Sequence, residues 1–466
     1  MRKSGTIYFL AALLFSWVSC TDKSVSNSPE ASVNSLTLGE FNVLYNDIKL
    51  DGTDTILVRK VTNGTVAFDI DHINNQIYNT EKLPFGSVIN KITTNITATG
   101  TPYFQLPDSA GEMHTILWTK DVTIDLRTPV TILVKSDDGS YTRKYTLTAN
   151  VYSANPDSMT WKKCAEPMPA DMNCKDAIEL DGRILVFGMN GAEEPCVTAT
   201  NINGTGKWSD LQICSGLDNE VDFRTMTRHG ELLAVLDGGS LFTSPDGIVW
   251  TDAQADTRLS SLIRFRQDSD GGTAWALTSD GWIASSEDLS AWTAIQEAGS
   301  MFPTSDISAE CYPLGSNTGI LRYVLTGSCT NAGYAPVWTR LSTEDTWSLV
   351  ETSSDHSLRC PAFNRISMFR YDGRLYTFGG QGFSGSKEVP AMHNFYESRD
   401  NGITWRECKS IRESYNTWNN YMQIPEAFRD SDEPCCFVTD HNSVLWFISS
   451  DLRGIWRGYI NRLHID

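Results

Sequence analysis

Residues 398–405 read SRDNGITW, a polar turn that leads directly into a tryptophan. Asp and Gly adopt turn geometries that β-branched residues disfavour, and Trp405 begins an outgoing strand whose ring can fill an apolar core. An aromatic residue, Tyr396, precedes the turn and belongs to the incoming strand. The stretch therefore predicts a β-hairpin, and the rest of the chain shows how often this hairpin recurs.

Six tryptophans occupy equivalent places along the chain. They are Trp161, Trp208, Trp250, Trp292, Trp347 and Trp405, with separations of 47, 42, 42, 55 and 58 residues. Related turns precede four of them besides Trp405, namely NPDSMTW (155–161), SPDGIVW (244–250), SSEDLSAW (285–292) and STEDTW (342–347). The spacing is the period of a β-propeller blade, so it predicts an all-β propeller.

Other strand-length runs support the same repeat. Phe242, Ile283 and Trp338 stand before their turns as Tyr396 does. Apolar runs that follow short turns occur at DGRILVFG (181–188), HGELLAVLDGG (229–239), DGRLYTFGG (372–380) and NSVLWFISS (442–450). Such runs are typical of inner strands that are buried on both faces.

The last repeat lacks its outer strand. GIWRGYINRLHI (454–465) aligns with PVWTRLSTEDTW (336–347), so that Trp456 matches Trp338, and no further turn and tryptophan follow. The segment around Trp161 supplies an outer strand with no blade of its own before it. We therefore expect this strand to complete the sixth blade, which removes an open sheet edge, and we expect a six-bladed propeller over residues 155–466.

Residues 36–154 predict a different domain, without the tryptophan repeat and without cysteine. An Asp138-Gly139 hairpin signal is followed by alternation that places Tyr141, Tyr145 and Leu147 on one face of a strand. Earlier runs at 65–70, 115–119 and 130–134 have strand character. Together they predict an immunoglobulin-like β-sandwich that serves as a spacer before the propeller.

The first residues have the pattern of an export signal. Arg2 and Lys3 precede an apolar run over 7–18, which at roughly 12 residues is short for a membrane span, and Ser19 precedes Cys20. This predicts a signal peptide over 1–19, a lipidated Cys20, and a polar tether over 20–35. The alternative is an ordinary signal peptide followed by a fortuitous cysteine, because Trp17 stands where Leu is usual.

Charge and composition exclude several classes of function. The formal net charge of −19 becomes −21 when Arg2 and Lys3 are lost with the leader, which argues against nucleic acid as a partner. Ten of the eleven cysteines lie between Cys164 and Cys436; they are either disulfide-bonded or small buried residues. The spacing of cysteines and of the seven histidines predicts no metal site, and no cofactor is expected. The acidic loops at 268–272 and 430–433 are solvated turns or, as an alternative, Ca²⁺ sites.

These features resemble known families. SRDNGITW matches the Asp-box pattern of sialidase-like propellers, and DGRLYTFGG resembles kelch repeats. FDIDHINNQIYNTEKLPFGSVI (68–89), the segment 129–152 and the terminal IWRGYINRL together resemble an uncharacterised family of Bacteroidota lipoproteins. In that family an Ig-like domain precedes a six-bladed Asp-box/kelch-like propeller. The resemblance implies an outer-membrane lipoprotein, with no established activity and no functional residues besides the lipidated cysteine.

Two sets of residues could carry a function. The insertion at 413–436 places Tyr415, Trp418 and Tyr421 at three-residue spacing, where they could stack on sugars or, as the alternative, cap the core. Six arginines fall near blade starts and could reach a central funnel, or they could be surface ion-pair partners: Arg224, Arg264, Arg266, Arg322, Arg365 and Arg370.

The sequence thus predicts a cell-envelope lipoprotein, anchored in the outer membrane through Cys20. Its propeller would be a non-catalytic binding or scaffold module for a glycan or an envelope protein, and a monomer is expected. Tyr415, Trp418 and Tyr421 are the predicted ligand-binding residues, and no catalytic residue is assigned. The alternative is a carbohydrate-active enzyme of sialidase or glycosidase type, which would need carboxylates and arginines that converge in the funnel.

Overall fold

The computed structural model describes residues 30–48, 54–154, 158–203, 206–265, 272–329, 333–350, 358–408 and 422–464. Backbone contacts divide the chain into two compact units, one made of residues 1–45 and 56–152 and the other of residues 46–55 and 153–466. Within the described ranges both units consist of β-strands, with short 3-10 turns at Glu426–Phe428 and Asn461–Leu463 and no α-helix. The predicted all-β class is confirmed.

The first unit contains ten strands in three sheets. Two sheets have two strands each, β1 with β6 and β2 with β3, and the third has the order β4-β5-β10-β9-β7-β8. The strands are β1 (Ser32–Leu38), β2 (Phe41–Ile48), β3 (Asp54–Val61), β4 (Asp69–Asp71), β5 (Gln76–Tyr78), β6 (Thr94–Thr99), β7 (Thr101–Pro107), β8 (Met113–Leu117), β9 (Val130–Lys135) and β10 (Thr142–Thr148).

The six-stranded sheet of this unit has a buried centre and an exposed edge. In β10 the predicted alternation holds for Tyr145 and Leu147, which are fully buried, whereas Tyr141 before the strand is 53% exposed. Every residue of β8 is exposed, because this strand lies at the edge and pairs only with β7. The run at 115–119 therefore begins within an exposed edge strand, and of its residues Trp118, just after β8, packs against the core.

The second unit contains six larger sheets. Its strands are β11 (Met159–Lys163), β12 (Asn173–Leu180), β13 (Arg183–Met189), β14 (Pro195–Asn201), β15 (Gln212–Ile213), β16 (Val221–His229), β17 (Leu232–Asp237), β18 (Ser240–Ser244), β19 (Thr251–Asp252), β20 (Leu259–Leu262), β21 (Arg264–Phe265), β22 (Ala274–Thr278), β23 (Trp282–Ser286), β24 (Thr293–Glu297), β25 (Ser305–Leu314), β26 (Asn317–Ser328), β27 (Val337–Leu341), β28 (Ser348–Leu349), β29 (Ala362–Phe363), β30 (Ser367–Tyr371), β31 (Arg374–Phe378), β32 (Gly382–Ser384), β33 (Lys387–Val389), β34 (Tyr396–Ser398), β35 (Arg406–Glu407), β36 (Cys436–Thr439), β37 (Leu445–Ile448) and β38 (Ile455–Ile460).

These strands form sheets that follow one another along the chain, all antiparallel except for the parallel pairing of β21 with β25 in the fourth. In order, the sheets are β12-β13-β14-β15, β16-β17-β18-β19, β20-β22-β23-β24, β21-β25-β26-β27-β28, β30-β31-β34-β35 and β36-β37-β38-β11, and a small sheet β29-β32-β33 lies beside the fifth. We refer to the six as the first to the sixth sheet. The four apolar runs that the sequence singled out are the second strands of their sheets, β13, β17, β31 and β37.

The first strands of successive sheets lie side by side. In the fourth sheet we count β25 as the first strand, because β21 lies earlier in the chain, between two strands of the third sheet. Contacts join β12 to β16, β16 to β20, β20 to β25 and β25 to β30, and β12 also contacts β36. The rings of Phe369 in β30 and Phe437 in β36 have centroids 4.7 Å apart. The first strands of neighbouring sheets are therefore close together, and the loops that lead into them can bring polar side chains to one place.

The sixth sheet combines the two ends of the unit. β11 pairs antiparallel with β38, and Trp161 lies opposite Gly458. A side chain at Gly458 would collide with the Trp161 ring, so glycine is required there. The Trp161 ring centroid lies 5.6 Å from that of Phe447, and its Nε1 donates a hydrogen bond to the Gln423 carbonyl oxygen at 3.0 Å.

The turn at 398–405 has a complete set of internal hydrogen bonds. Asp400 Oδ1 accepts from the Thr404 N–H at 2.9 Å, and Ser398 Oγ accepts from the Gly402 N–H at 2.8 Å. Gly402 has a φ of 95° and its carbonyl oxygen accepts from Trp405 Nε1 at 3.0 Å. The turn thus fixes the ring of Trp405, which is fully buried between the fourth and fifth sheets.

Trp405→Ala should lower the free energy of unfolding by about 3–5 kcal/mol, because it removes a fully buried indole and leaves a cavity between two sheets. Urea unfolding followed by circular dichroism measures the change. Trp282→Ala is the matched control, since Trp282 is 39% exposed, and it should lower the free energy by less than about 1 kcal/mol. Equal losses in the two variants would contradict the role given to Trp405.

Asp237 predicts a pH dependence of stability. Burial raises its pKa to about 6 from the ordinary 3.8, although the carboxylate accepts a hydrogen bond from the Asp218 N–H at 2.7 Å. Since the pKa is higher in the folded state, the protonated group stabilises the fold fully below pH 3.8, and this contribution is lost as the pH rises through about 6. Asp237→Asn should therefore stabilise the protein by about 2 kcal/mol at pH 8 and have little effect at pH 4.

Unfolding titrations of Asp237→Asn at both pH values test this, with the exposed Asp252→Asn on β19 as the control. The control should change stability by less than about 0.5 kcal/mol at either pH. A pH-independent effect of Asp237→Asn would exclude Asp237 as the titrating group.

Candidate functional site

A cavity of about 240 Å³, which we call the central cavity, lies in the second unit where the first strands and the loops before them meet. Its lining includes residues of β12, β16, β21 and β25, the loop before β30 and the loop before β36. The charged residues that line it are Lys175, Asp176, Arg224, Arg264, Asp306, Arg365 and Glu433. Elements far apart in sequence thus contribute charged groups to one place.

Irregular strands bring these groups to the cavity. The pairing register of β12 shifts between Cys174 and Asp176, and that of β25 shifts between Ser305 and Ser308. The register of β16 shifts between Asp222 and Thr227, on either side of Arg224. A β-bulge re-aims a side chain that a regular strand would direct into the packed layer between sheets.

Backbone conformations with positive φ add to this arrangement. Among the lining residues Asp306, Arg365 and Met392 have φ values of 53°, 52° and 52°. Few non-glycine residues adopt this left-handed conformation, which costs free energy and is concentrated at functional sites. Three such residues at one cavity mark it as a built site.

Arg264 and Asp176 form the buried ion pair of the site. Arg264 Nη2 contacts Asp176 Oδ2, and the two side chains are only 11% and 5% exposed. Arg264 Nε has no hydrogen-bond partner within the described ranges. The ion pair thus leaves one buried N–H donor of the guanidinium unsatisfied.

Two further arginines are paired at its rim. Arg224 contacts Asp306, while Arg365 Nη2 donates to the carbonyl oxygen of Asp432 at 2.6 Å. Burial lowers the pKa of Arg224, Asp222 and Asp176 raise it, and the positive charges of Arg365 and Arg264 lower it further. The three guanidinium groups are therefore close enough to interact electrostatically, and they remain charged at neutral pH.

Thiols form one part of the wall. Cys174 and Cys435 line the cavity, and Cys436 is buried next to them. A hydrogen bond with Cys436 lowers the pKa of Cys174 to about 7, whereas burial raises the pKa of Cys435 to about 12. All ten cysteines from Cys164 to Cys436 are free thiols in the structure. Of the two alternatives drawn from the sequence, disulfide bonds or unpaired small residues, the structure has unpaired cysteines.

The structure brings together half of the arginines that the sequence nominated. Arg224, Arg264 and Arg365 line the cavity, and each is also an ion-pair partner. Arg322 and Arg370 lie elsewhere, where Arg322 contacts Thr339 and Arg370 stacks over Tyr312. Arg266 lies outside the described residues, as do the predicted lipidation site and the predicted ligand-binding residues: Cys20, Tyr415, Trp418 and Tyr421.

Sequence reasoning missed the acidic half of the site. Asp176 and Asp306 were not nominated, and neither was Lys175, whereas Glu433 was noted only as part of the acidic loop at 430–433. A usable signal exists for two residues that line the cavity: Asp176 and Ser367 each stand five residues before the first residue of a two-residue turn, Asp181-Gly182 or Asp372-Gly373. That offset marks the cavity-facing position of a first strand.

A separate cluster in the first unit has potential metal ligands. Donor atoms of Asp108, Glu112 and His114 lie within 4.8 Å of one another, and all three residues are exposed. Asp108 Oδ1 accepts from the N–H groups of Ala110 and Glu112, and Oδ2 lies 2.9 Å from His114 Nε2. These hydrogen bonds explain the grouping as the turn between β7 and β8.

Family comparison identifies both halves of the chain. Residues 155–466 match the DUF6242 beta propeller domain, and residues 41–149 match the N-terminal domain of the same domain of unknown function. The chain belongs to the DUF6242 family. The predicted propeller is thereby confirmed, as is the prediction that the family is uncharacterised. No curated protein matches this DUF6242 protein.

Solved structures resemble the chain in fold alone. YCF48 from Cyanidioschyzon merolae is 13% identical, with a TM-score of 0.34 over 64% of this chain and 98% of that one. An auxiliary nutrient binding protein from Bacteroides ovatus is 10% identical, with a TM-score of 0.39 over 79% and 94%. The Hadza microbial sialidase Hz136 is 12% identical, with a TM-score of 0.37 over 94% of each chain. Scores this low carry no functional argument.

The described part of the chain has no helix with the length and apolar character needed to cross a bilayer.

Arg264→Met should lower the free energy of unfolding by about 3–5 kcal/mol, because it leaves the Asp176 carboxylate buried without its partner. The double variant Arg264→Met/Asp176→Leu should regain most of this loss, since neither charge then remains. Arg365→Met is the control, because its partner Asp432 is 65% exposed, and it should change stability by about 1 kcal/mol or less. Urea unfolding measures all three, and a double variant no better than Arg264→Met would contradict the pairing.

Proposed function

We propose that this DUF6242 protein is an exported lipoprotein, anchored in the outer membrane through Cys20, whose propeller is a non-catalytic binding module for a glycan. In this proposal the propeller has six blades and is completed by the strand around Trp161, and an Ig-like domain is the spacer. The observation that carries the binding function is the convergence of Arg224, Arg264 and Arg365 with carboxylates on one cavity.

The mixture of charges favours a ligand rich in hydroxyl groups. Four cationic side chains and three carboxylates line the cavity, so it carries both hydrogen-bond donors and hydrogen-bond acceptors. A sugar hydroxyl donates and accepts at once, and each hydrogen bond to a charged group is stronger than a neutral one. Arg264 Nε, which has no hydrogen-bond partner among the described residues, is one donor of this kind.

The ion pairs favour binding over catalysis. A glycosidase uses two carboxyl groups that flank the scissile bond, one as a proton donor and one as a nucleophile or base. Asp176 and Asp306 instead contact Arg264 and Arg224. Carboxylates held in this way can orient a ligand without taking part in proton transfer.

A carbohydrate-active enzyme is the second candidate. The observation in its favour is Glu433, an exposed carboxylate that lines the same cavity as the paired aspartates. Hydrolysis of a bound glycan that disappears in Glu433→Gln, while binding remains, would establish this function in place of the first.

The proposal is tested by binding of the ectodomain that starts after Cys20 to a broad glycan array. Selective binding is expected, and Arg224→Gln should weaken it at least about tenfold, because a charge-assisted hydrogen bond to the ligand is lost. Titration calorimetry with the best glycan measures the loss. Arg228→Gln on the same strand is the matched control, since Arg228 bonds to the Gly230 carbonyl oxygen and does not line the cavity.

Trp418→Ala distinguishes the cavity from the predicted aromatic site. Binding lost in Trp418→Ala and kept in Arg224→Gln would place the ligand on the 413–436 insertion and contradict the cavity assignment. A blank array would exclude the glycan and direct the search to an envelope protein as the partner.

A further inference from the structure

A second cavity, of about 630 Å³, lies between the third and fourth sheets. Trp275 of β22 and Tyr323 of β26 form its aromatic wall, and Ile295 and Leu321 add apolar surface. Arg340 of β27 and the exposed carboxylates of Glu287 and Asp345 complete its polar lining. None of these residues lines the central cavity, so a ligand bound here is independent of the function proposed for that cavity.

Arg340 is held by aromatic rings and not by a carboxylate. Its guanidinium carbon lies 4.6 Å from the Trp275 ring centroid and 5.8 Å from that of Tyr323. No carboxylate within the described ranges pairs with it, and its buried Nε has no hydrogen-bond partner there. The arginines of the central cavity differ in this respect, because each has an acidic partner.

The rings that carry Arg340 are themselves fixed. Trp347 packs edge-on against Trp275 and Tyr323, with centroid distances of 5.5 and 6.2 Å. The backbone N–H and carbonyl oxygen of Trp347 both bond to the side chain of Gln296, at 2.8 and 3.1 Å. A guanidinium plane stacked on such a rigid aromatic group is pre-oriented for a planar anion.

The aromatic group around the arginine also has unpartnered donors. Trp275 is 3% exposed, and neither its Nε1 nor that of Trp347 has a hydrogen-bond partner within the described part of the chain. In contrast, the indoles of Trp250, Trp292 and Trp405 donate to the carbonyl oxygen three residues earlier. Such unsatisfied buried groups are rare in proteins and mark this wall as unusual.

We propose that this cavity binds a sugar that bears a carboxylate, a uronate, with the carboxylate on Arg340. A carboxylate matches the fork of the guanidinium in shape and charge. The carboxylate oxygens of Glu287 and Asp345 are hydrogen-bond acceptors, so they suit the hydroxyl groups of the same sugar. Its C–H face packs on the apolar side chains of the wall.

The test uses D-glucuronate as the probe and the soluble ectodomain as the protein, with D-glucose and acetate as the comparison ligands. Titration calorimetry should show glucuronate binding at least about tenfold tighter than either, because only glucuronate has both the carboxylate and the hydroxyls. Arg340→Gln should weaken glucuronate binding by about tenfold or more, and Arg340→Lys, which keeps the charge and loses the fork, by less.

Arg370→Gln is the matched control, because Arg370 also stacks over an aromatic ring, Tyr312, outside this cavity. It should leave glucuronate binding unchanged. Glucuronate binding that survives both Arg340 variants would overturn the proposal, and so would equal binding of acetate and glucuronate, which indicates a general anion site. Thermal unfolding checks that each variant is folded, and loss of glycan binding in Arg224→Gln with glucuronate binding intact would separate the two sites.

Discussion

The second unit depends on a tryptophan that fills the space between each sheet and the sheet before it. Trp250 packs with Leu185 and Phe187 of the first sheet, and Trp405 packs with Val324 and Val337 of the fourth. Each ring buries a large apolar area and is oriented by a short turn, so the distance and direction between neighbouring sheets are set locally. The tryptophans thus hold neighbouring sheets at a fixed spacing, and the central cavity depends on this arrangement.

The polar site at this cavity is compatible with the fold because its charges are arranged in pairs. Burial of Arg264 or Asp176 alone would be strongly unfavourable, and contact between them offsets much of the desolvation. The bulges in β12, β16 and β25 remove Asp176, Arg224 and Asp306 from the apolar layers between sheets. These irregularities weaken strand pairing and at the same time create the charged lining of the cavity. A departure from the repeat is expected where a protein has its function.

The two cavities use arginine in different ways. At the centre the guanidinium groups contact carboxylates, which suits a ligand that both donates and accepts hydrogen bonds. Between the third and fourth sheets Arg340 stacks on Trp275 and Tyr323, and none of the described carboxylates forms an ion pair with it. An unpaired cation attracts an anion, whereas a paired one mainly orients a polar ligand. One propeller thus offers two surfaces of different chemistry.

The sequence by itself determined the all-β class and the propeller, because both follow from local turn chemistry and from a period that is visible in one dimension. It also nominated Arg224, Arg264 and Arg365, since arginines near strand starts can be recognised along the chain. Only the tertiary structure decided that these three meet, that Asp176 and Asp306 face them, and that Arg340 has no acidic partner among the described residues. Pairing across sheets depends on bulges and on left-handed residues such as Asp306, whose positions are set by long-range packing and leave no periodic signal in the sequence.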